Sequence, residues 1–166
     1  MHTRTQVLNA YLYSKSWKII GVQTICVRAK LDVQKFHRDH ALGAGQSVVI
    51  ALSVDDVPLR TLFVKGSHQD HGLAIRGSDD LAEVQRERLK SSTAMSGRMM
   101  IYDPFVIHAG GANPDNQCYQ HRLFITFASS ELGAKDLKDM KMTNNLDNFR
   151  VYNENDLLRI LFSKTK

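Results

Sequence analysis

Short runs rich in aliphatic and β-branched residues, each closed by a polar turn, set the pattern of this chain. Residues 17–27 and 47–54 are two such runs, and their composition predicts strands. Asp55-Asp56-Val57-Pro58 supplies a turn, residues 59–64 predict a further short strand, and Lys65-Gly66-Ser67-His68 closes it. Between residues 78 and 92 the pattern changes. Leu81, Val84 and Leu89 mark one side of a charged segment over residues 79–89, which predicts a surface helix inserted between strands. Strands resume at 98–102 and 105–108 and return at 121–127 after the polar stretch 113–120, so the last two are expected to pair as a hairpin. The tail is polar from residue 131 until residues 156–162, which predict a short amphipathic helix. Many short antiparallel strands with one helical insertion and a C-terminal helix argue for a mainly β jelly-roll or barrel.

A length of 166 residues suits one domain, with a core over about 17–130 and a C-terminal extension over 131–166. No apolar run approaches the roughly 18 residues of a membrane span, and the polar opening Met1-His2-Thr3-Arg4-Thr5-Gln6 does not resemble a secretory signal. A cytoplasmic location is the default expectation. Cys26 and Cys118 are too few for a disulfide framework and lie in no zinc pattern, so both are expected as free thiols. The net charge of +5 is spread along the chain without a basic block, which is weak evidence for a nucleic-acid partner.

The chemistry concentrates in Phe36-His37-Arg38-Asp39-His40. Positions 37 and 39 are two apart, so on an extended strand an imidazole and a carboxylate leave the same face. His108, ending an otherwise apolar segment, can bring the third ligand from elsewhere in the fold. Two histidines and one carboxylate on one face of an octahedron leave three positions open, the arrangement by which non-haem Fe(II) oxygenases hold cosubstrate and O₂ together. Arg122 follows His108 by 14 residues, with Leu123, Phe124, Ile125 and Phe127 around it. A partly buried guanidinium there needs an anion, and its planar fork suits a carboxylate. A dicarboxylate that chelates iron at one end and pairs with Arg122 at the other describes 2-oxoglutarate.

The order H-x-D, then Gly66-Ser67-His68, then a distal histidine, then an arginine on the final strand resembles the phytanoyl-CoA dioxygenase-like branch of the Fe(II)/2-oxoglutarate oxygenases. The resemblance covers approximately residues 23–128, with Lys65 standing where the branch has a proline before Gly-Ser-His. It implies a double-stranded β-helix, a cupin-like barrel, with His37, Asp39 and His108 on iron, Arg122 clamping the 2-oxoglutarate carboxylate and Gln23 touching the cosubstrate. It further implies hydroxylation of a small-molecule substrate with release of succinate and CO₂, ascorbate serving as reductant. Asp39 argues against halogenation, since the resembling halogenases carry a small residue there. A catalytically inactive cupin-like binding module is the alternative. An AlkB-type second arginine, six residues after the first, would fall on Ala128.

Other polar residues have plainer readings. His40 is the alternative to His37 as a ligand, but it is one residue from Asp39 and points away on a strand; His68 and His71 read as a polar loop, with a place at the site mouth as the alternative. His121 should face away from Arg122. Asn113 suits either a turn before Pro114 or a hydrogen bond near the cosubstrate, Thr126 reads as an ordinary β-former with the same second use open to it, and Arg76 reads as an exposed loop residue with a substrate anion as the alternative.

Overall fold

The computed structural model describes residues 16–30, 32–39, 45–70, 76–78, 81, 83–113, 119–132 and 151–153. They form β1 (Ser16–Val27), β2 (Phe36–His37), β3 (Ser47–Ser53), β4 (Leu59–Val64), β5 (Arg76–Ser78), a one-turn helix α1 (Glu83–Glu87), β6 (Leu89–Ala94), β7 (Met99–Tyr102), β8 (His108–Gly110), β9 (Gln120–Ser129) and β10 (Val151–Asn153). The chain is mainly β, in two five-stranded sheets. The first runs β10-β1-β9-β3-β7 and the second β5-β2-β8-β4-β6, and every pairing is antiparallel.

Burial explains which runs became central strands. β3 reads Ser-Val-Val-Ile-Ala-Leu-Ser and is buried at all positions but Leu52, as suits a strand covered on both faces. Val48 and Ile50 pack with Trp17 and Phe127 on one face of the first sheet. From its other face Ala51 and Met100, with Tyr102 and Phe124, meet Leu59, Ala94 and Phe63 of the second sheet, so the two sheets pack face to face. A third cluster, Val64, Leu81 and Ile107 with Phe36 and Leu89, covers the far face of the second sheet. Each fully buried large side chain here contributes about 1.5–3 kcal/mol.

One irregularity decides what faces the space between the sheets. A bulge lies between Ile19 and Gly21, where β1 advances two residues against the single step from Phe127 to Thr126. Ile19 therefore shares the face of Phe127, while Gly21, Gln23 and Ile25 share the inner face of Thr126, Phe124 and Arg122.

Several expectations are corrected. Residues 105–107 are not strand, and β8 begins only at His108. Asp103 turns the chain there: its Oδ1 accepts the Phe105 N–H at 2.7 Å, and its carbonyl accepts the Val106 N–H at 3.0 Å. Nor do β8 and β9 form a hairpin, because β8 lies between β2 and β4 while β9 crosses to the other sheet between β1 and β3. Among the described residues the insertion helix covers Glu83–Glu87, and Leu89 already belongs to β6. β5, β6 and β10 were not anticipated. The expected helix at 156–162 lies outside the described residues, as does Cys118. Cys26 is a free thiol. No helix among the described residues is long and apolar enough to cross a membrane.

Candidate metal centre

β2 and β8 are neighbours in the second sheet, and their register places His37 directly opposite His108. Residues so paired share a face, and the two rings lie with centroids 4.6 Å apart. Asp39 stands just beyond β2, where its backbone N–H donates to the Pro104 carbonyl at 3.0 Å. That anchor turns the carboxylate back onto the imidazoles. Oδ1 is 3.4 Å from His37 Nε2 and 3.3 Å from His108 Nε2, and ligand atoms from all three residues fall within 4.8 Å of one another.

The opposite nitrogens fix how the rings present themselves. His37 Nδ1 contacts the Lys35 carbonyl at 2.8 Å and His108 Nδ1 contacts the Val106 carbonyl at 2.9 Å. A carbonyl only accepts, so each Nδ1 carries the proton and donates it. In the neutral rings each Nε2 then turns a lone pair toward the Asp39 carboxylate. Three electron-rich atoms converge, which is favourable only with a cation among them. Without a metal, a proton is that cation, and the hydrogen bond to Asp39 raises the His37 pKa despite burial. For Asp39, burial pushes the carboxyl up, but hydrogen bonds from His108 and His37 outweigh it and hold the group well below the usual carboxylate range.

Aromatic rings wall one side. Tyr102 lies 5.0 Å from the His108 ring and 5.3 Å from Phe63, and its hydroxyl approaches Asp39 Oδ2 at 3.5 Å. Burial and the Asp39 charge raise the Tyr102 pKa.

Behind the ligands, Gly66-Ser67-His68 acts as a brace. Gly66 takes a left-handed φ of 78°, which lets Ser67 turn inward. Ser67 Oγ accepts the Ile107 N–H at 2.8 Å, one residue before His108. Arg38, between the two β2-side ligands, points the other way. It donates to the carbonyls of Phe105, Ser67 and Asp70 and lies over the Phe105 ring at 4.2 Å.

Arg122 is only 2% exposed. Its Nε donates to Gln120 Oε1 at 2.7 Å and Nη2 donates to the Gly111 carbonyl at 2.8 Å, while Gln120 is itself held by the carbonyls of Val57 and Pro58. Among the described residues no carboxylate pairs with it, and burial lowers its pKa. Nη1 sits against Gly110, where an added Cβ would come within 2.7 Å of it. Gly110 follows His108 by two residues in β8, so arginine and imidazole share a face of the site.

No protein-family model matches the chain, and no curated protein does. Among solved structures it is similar to the epimerase SnoN in complex with Fe3+, alpha ketoglutarate and nogalamycin RO, with a TM-score of 0.61 and 14% identity, covering 88% of this chain and 68% of that one. The fold is that of the non-haem α-ketoglutarate-dependent enzymes. The carbocyclase SnoK from nogalamycin biosynthesis gives a TM-score of 0.61 at 14% identity, covering 87% of this chain and 65% of SnoK. AviO1 from Streptomyces viridochromogenes Tue57 gives 0.57 at 17% identity over 80% of this chain, which spans 60% of AviO1. α-Ketoglutarate is 2-oxoglutarate, the dicarboxylate expected beside Arg122.

The donor set fits iron with 2-oxoglutarate. Two imidazoles and a carboxylate suit a divalent first-row metal, and the uncompensated buried guanidinium suits a distal carboxylate. Gln23 lies exposed on the inner face, one strand from Phe124, where it can meet a bound molecule. The plainer reading holds for His121, which pairs with Asp55 at 3.0 Å; Asn113, expected at a turn, is instead buried, its amide donating to the carbonyls of Val27 and Arg28. His68 is half-buried in the brace. Thr126 lies on the Arg122 face, four residues on. Arg76 pairs through its backbone with His37, and His40 and His71 lie outside the described residues. Sequence reasoning missed Tyr102, Gln120, Gln34 and Gly110. Gly110-Gly111, beginning two residues after the distal histidine, was the available signal, since a glycine in a strand marks a close approach.

Proposed function

We propose that this chain is an Fe(II)- and 2-oxoglutarate-dependent dioxygenase that hydroxylates a small molecule, in a jelly-roll domain of the phytanoyl-CoA dioxygenase-like kind. The observation that carries the reading is the convergence of His37 Nε2, His108 Nε2 and Asp39 Oδ1 beside a buried arginine that pairs with no carboxylate among the described residues. Iron with 2-oxoglutarate and O₂ would supply oxidation of a C–H bond with release of succinate and CO₂. The residues do the rest. His37, Asp39 and His108 hold the metal, and their Nδ1-to-carbonyl bonds keep both imidazoles aimed without rearrangement. Arg122 receives the distal carboxylate, and Gln120 with the Gly111 carbonyl keeps the guanidinium fork from turning. Gln23 contacts the cosubstrate from β1. Phe63, Tyr102 and Phe124 exclude water from the inner side.

Purified protein with Fe(II), ascorbate, O₂ and 2-oxoglutarate should release succinate, slowly when no substrate is added, and Asp39→Ala should abolish this. Metal binding unchanged in His37→Ala and His108→Ala would remove the assignment. Metal and 2-oxoglutarate binding without succinate in the presence of any reductant would favour the inactive binding module.

A further inference from the structure

We infer that Tyr102 is a positioning residue that keeps Asp39 a one-oxygen ligand, an inference that rests on the metal-centre reading above. The two oxygens of Asp39 face different neighbours. Oδ1 lies 3.4 and 3.3 Å from the two Nε2 atoms, whereas Oδ2 is approached by the Tyr102 hydroxyl at 3.5 Å. Among the described residues no other donor reaches Oδ2. An ionised carboxylate only accepts and a phenol keeps its proton at neutral pH, so the hydroxyl donates. The separation is longer than a formed O–H···O bond, and the approach closes to one when the site tightens around its complex.

Tyr102 is placed for this by the fold, not by local chain. It ends β7 in the first sheet, paired with Val49, and its ring is packed against Phe63 and His108 of the second. The hydroxyl therefore reaches Asp39 across the space between the sheets.

A carboxylate can bind a divalent cation through one oxygen or both. With two imidazoles and one oxygen, three of six octahedral positions stay open, enough for a 2-oxo acid at two and O₂ at the third. Binding through both oxygens would take one of these. A donor on Oδ2 satisfies that oxygen and holds it turned from the point where the Nε2 lone pairs meet. Tyr102 thereby preserves the third open position.

The test compares wild type, Tyr102→Phe and Tyr102→Gln loaded with Co(II), whose visible absorption weakens as its coordination number rises. Tyr102→Phe should bind Co(II) as tightly as wild type or more tightly, absorb more weakly, and bind 2-oxoglutarate about tenfold less well. Tyr102→Gln returns an N–H donor without the ring and should move both readouts back toward wild type. Thermal melting reports folding, and if Tyr102→Phe does not fold, Tyr102→Gln decides: a spectrum like that of wild type supports the role and a weakened one overturns it. An unchanged spectrum and 2-oxoglutarate affinity in Tyr102→Phe overturns it too, as does a Tyr102→Gln protein no nearer to wild type than Tyr102→Phe, since a donor returned at that place would then restore neither readout. Wild-type protein that binds no Co(II) would instead remove the metal centre itself.

Discussion

Replacing Gly110 by alanine tests the link between Arg122 and the cosubstrate without touching a charged group. The new Cβ would stand 2.5 Å from Gln34 Oε1, 2.9 Å from Gln34 Cδ and 2.7 Å from Arg122 Nη1. These are inside contact distance, so both side chains must give way. Among the described glycines the left-handed φ values belong to Gly45, Gly66 and Gly97, so the backbone at 110 accepts alanine and the effect is steric. Gln34 moves first and gives up the Gly110 N–H it accepts at 3.1 Å, one neutral hydrogen bond worth about 1 kcal/mol. Arg122 must then leave its alignment with Gln120 and the Gly111 carbonyl, where each charge-assisted bond is worth about 1.5–3 kcal/mol. Losing one of them brings the destabilisation to about 2–4 kcal/mol, at about 2–4 °C of melting temperature per kcal/mol. A displaced fork no longer meets a carboxylate on two parallel bonds, so 2-oxoglutarate should bind about 10–100-fold more weakly, or about 1.4–2.8 kcal/mol. Titration calorimetry of 2-oxoglutarate into Co(II)-loaded protein reads this directly, with Co(II) affinity as the control. A folded Gly110→Ala protein with wild-type 2-oxoglutarate affinity would refute the role of Arg122 and the close approach at residue 110.

Arg122→Ala should raise the 2-oxoglutarate requirement by about 2–5 kcal/mol in binding while leaving metal affinity within a few-fold, and equal losses in both would point to a general collapse. Ser67→Ala strands the buried Ile107 N–H and should cost about 1–3 kcal/mol in denaturant unfolding and lower metal affinity through His108; a loss of stability with metal binding intact would show that the brace does not aim the ligand. The metal-free protein should also respond to pH in a defined sense. The raised His37 group stabilises fully below its unfolded value of 6.5 and loses this as pH rises through the folded value, while the lowered Asp39 group stabilises above 3.8 and loses this as pH falls through its own. Metal-free melting temperature should therefore be higher at pH 5 than at pH 8. Co(II) affinity should run the opposite way, falling about tenfold per pH unit for each proton it must displace, and matching trends in the two measurements would contradict the shared site.

The convergence of His37, Asp39 and His108 was legible in the sequence because part of it is local. His37 and Asp39 are two apart, and His108 ends an apolar segment that has no other reason to carry a histidine. Even so, the alternation argument held only in part, since β2 stops at His37 and Asp39 is aimed by the Pro104 carbonyl instead of by strand geometry. The central strands β1, β3 and β9 were legible because they bury apolar side chains. β6 was hidden because Leu89-Lys90-Ser91-Ser92-Thr93-Ala94 lies at the edge of its sheet with three positions exposed, where composition carries little signal. The path of β9 was misjudged for a different reason. Adjacent apolar runs in sequence suggest a hairpin, but residues 120–129 find ten register partners on β1 and seven on β3, far more than the three-residue β8 could offer. Long-range pairing of that kind leaves no local mark.

The corrected topology strengthens the site more than a hairpin would have. Had β8 and β9 paired, Arg122 would be tied to His108 through one turn, and the spacing of the two in sequence would have set their spacing in space. On opposite sheets, each is positioned by its own sheet register: His108 by His37 and Phe63, Arg122 by Ile25 and Ser53. The distance between them then depends on the packing of the sheets and on Gly110, which lets the guanidinium lie against β8. The same division applies to the ligands. Each imidazole is aimed by a carbonyl two residues back in its own chain, whereas Tyr102 reaches Asp39 from the other sheet. Loosening the sheet packing should therefore disturb Arg122 and the free oxygen of Asp39 before it disturbs the metal-binding nitrogens, so that cosubstrate binding is lost ahead of metal binding.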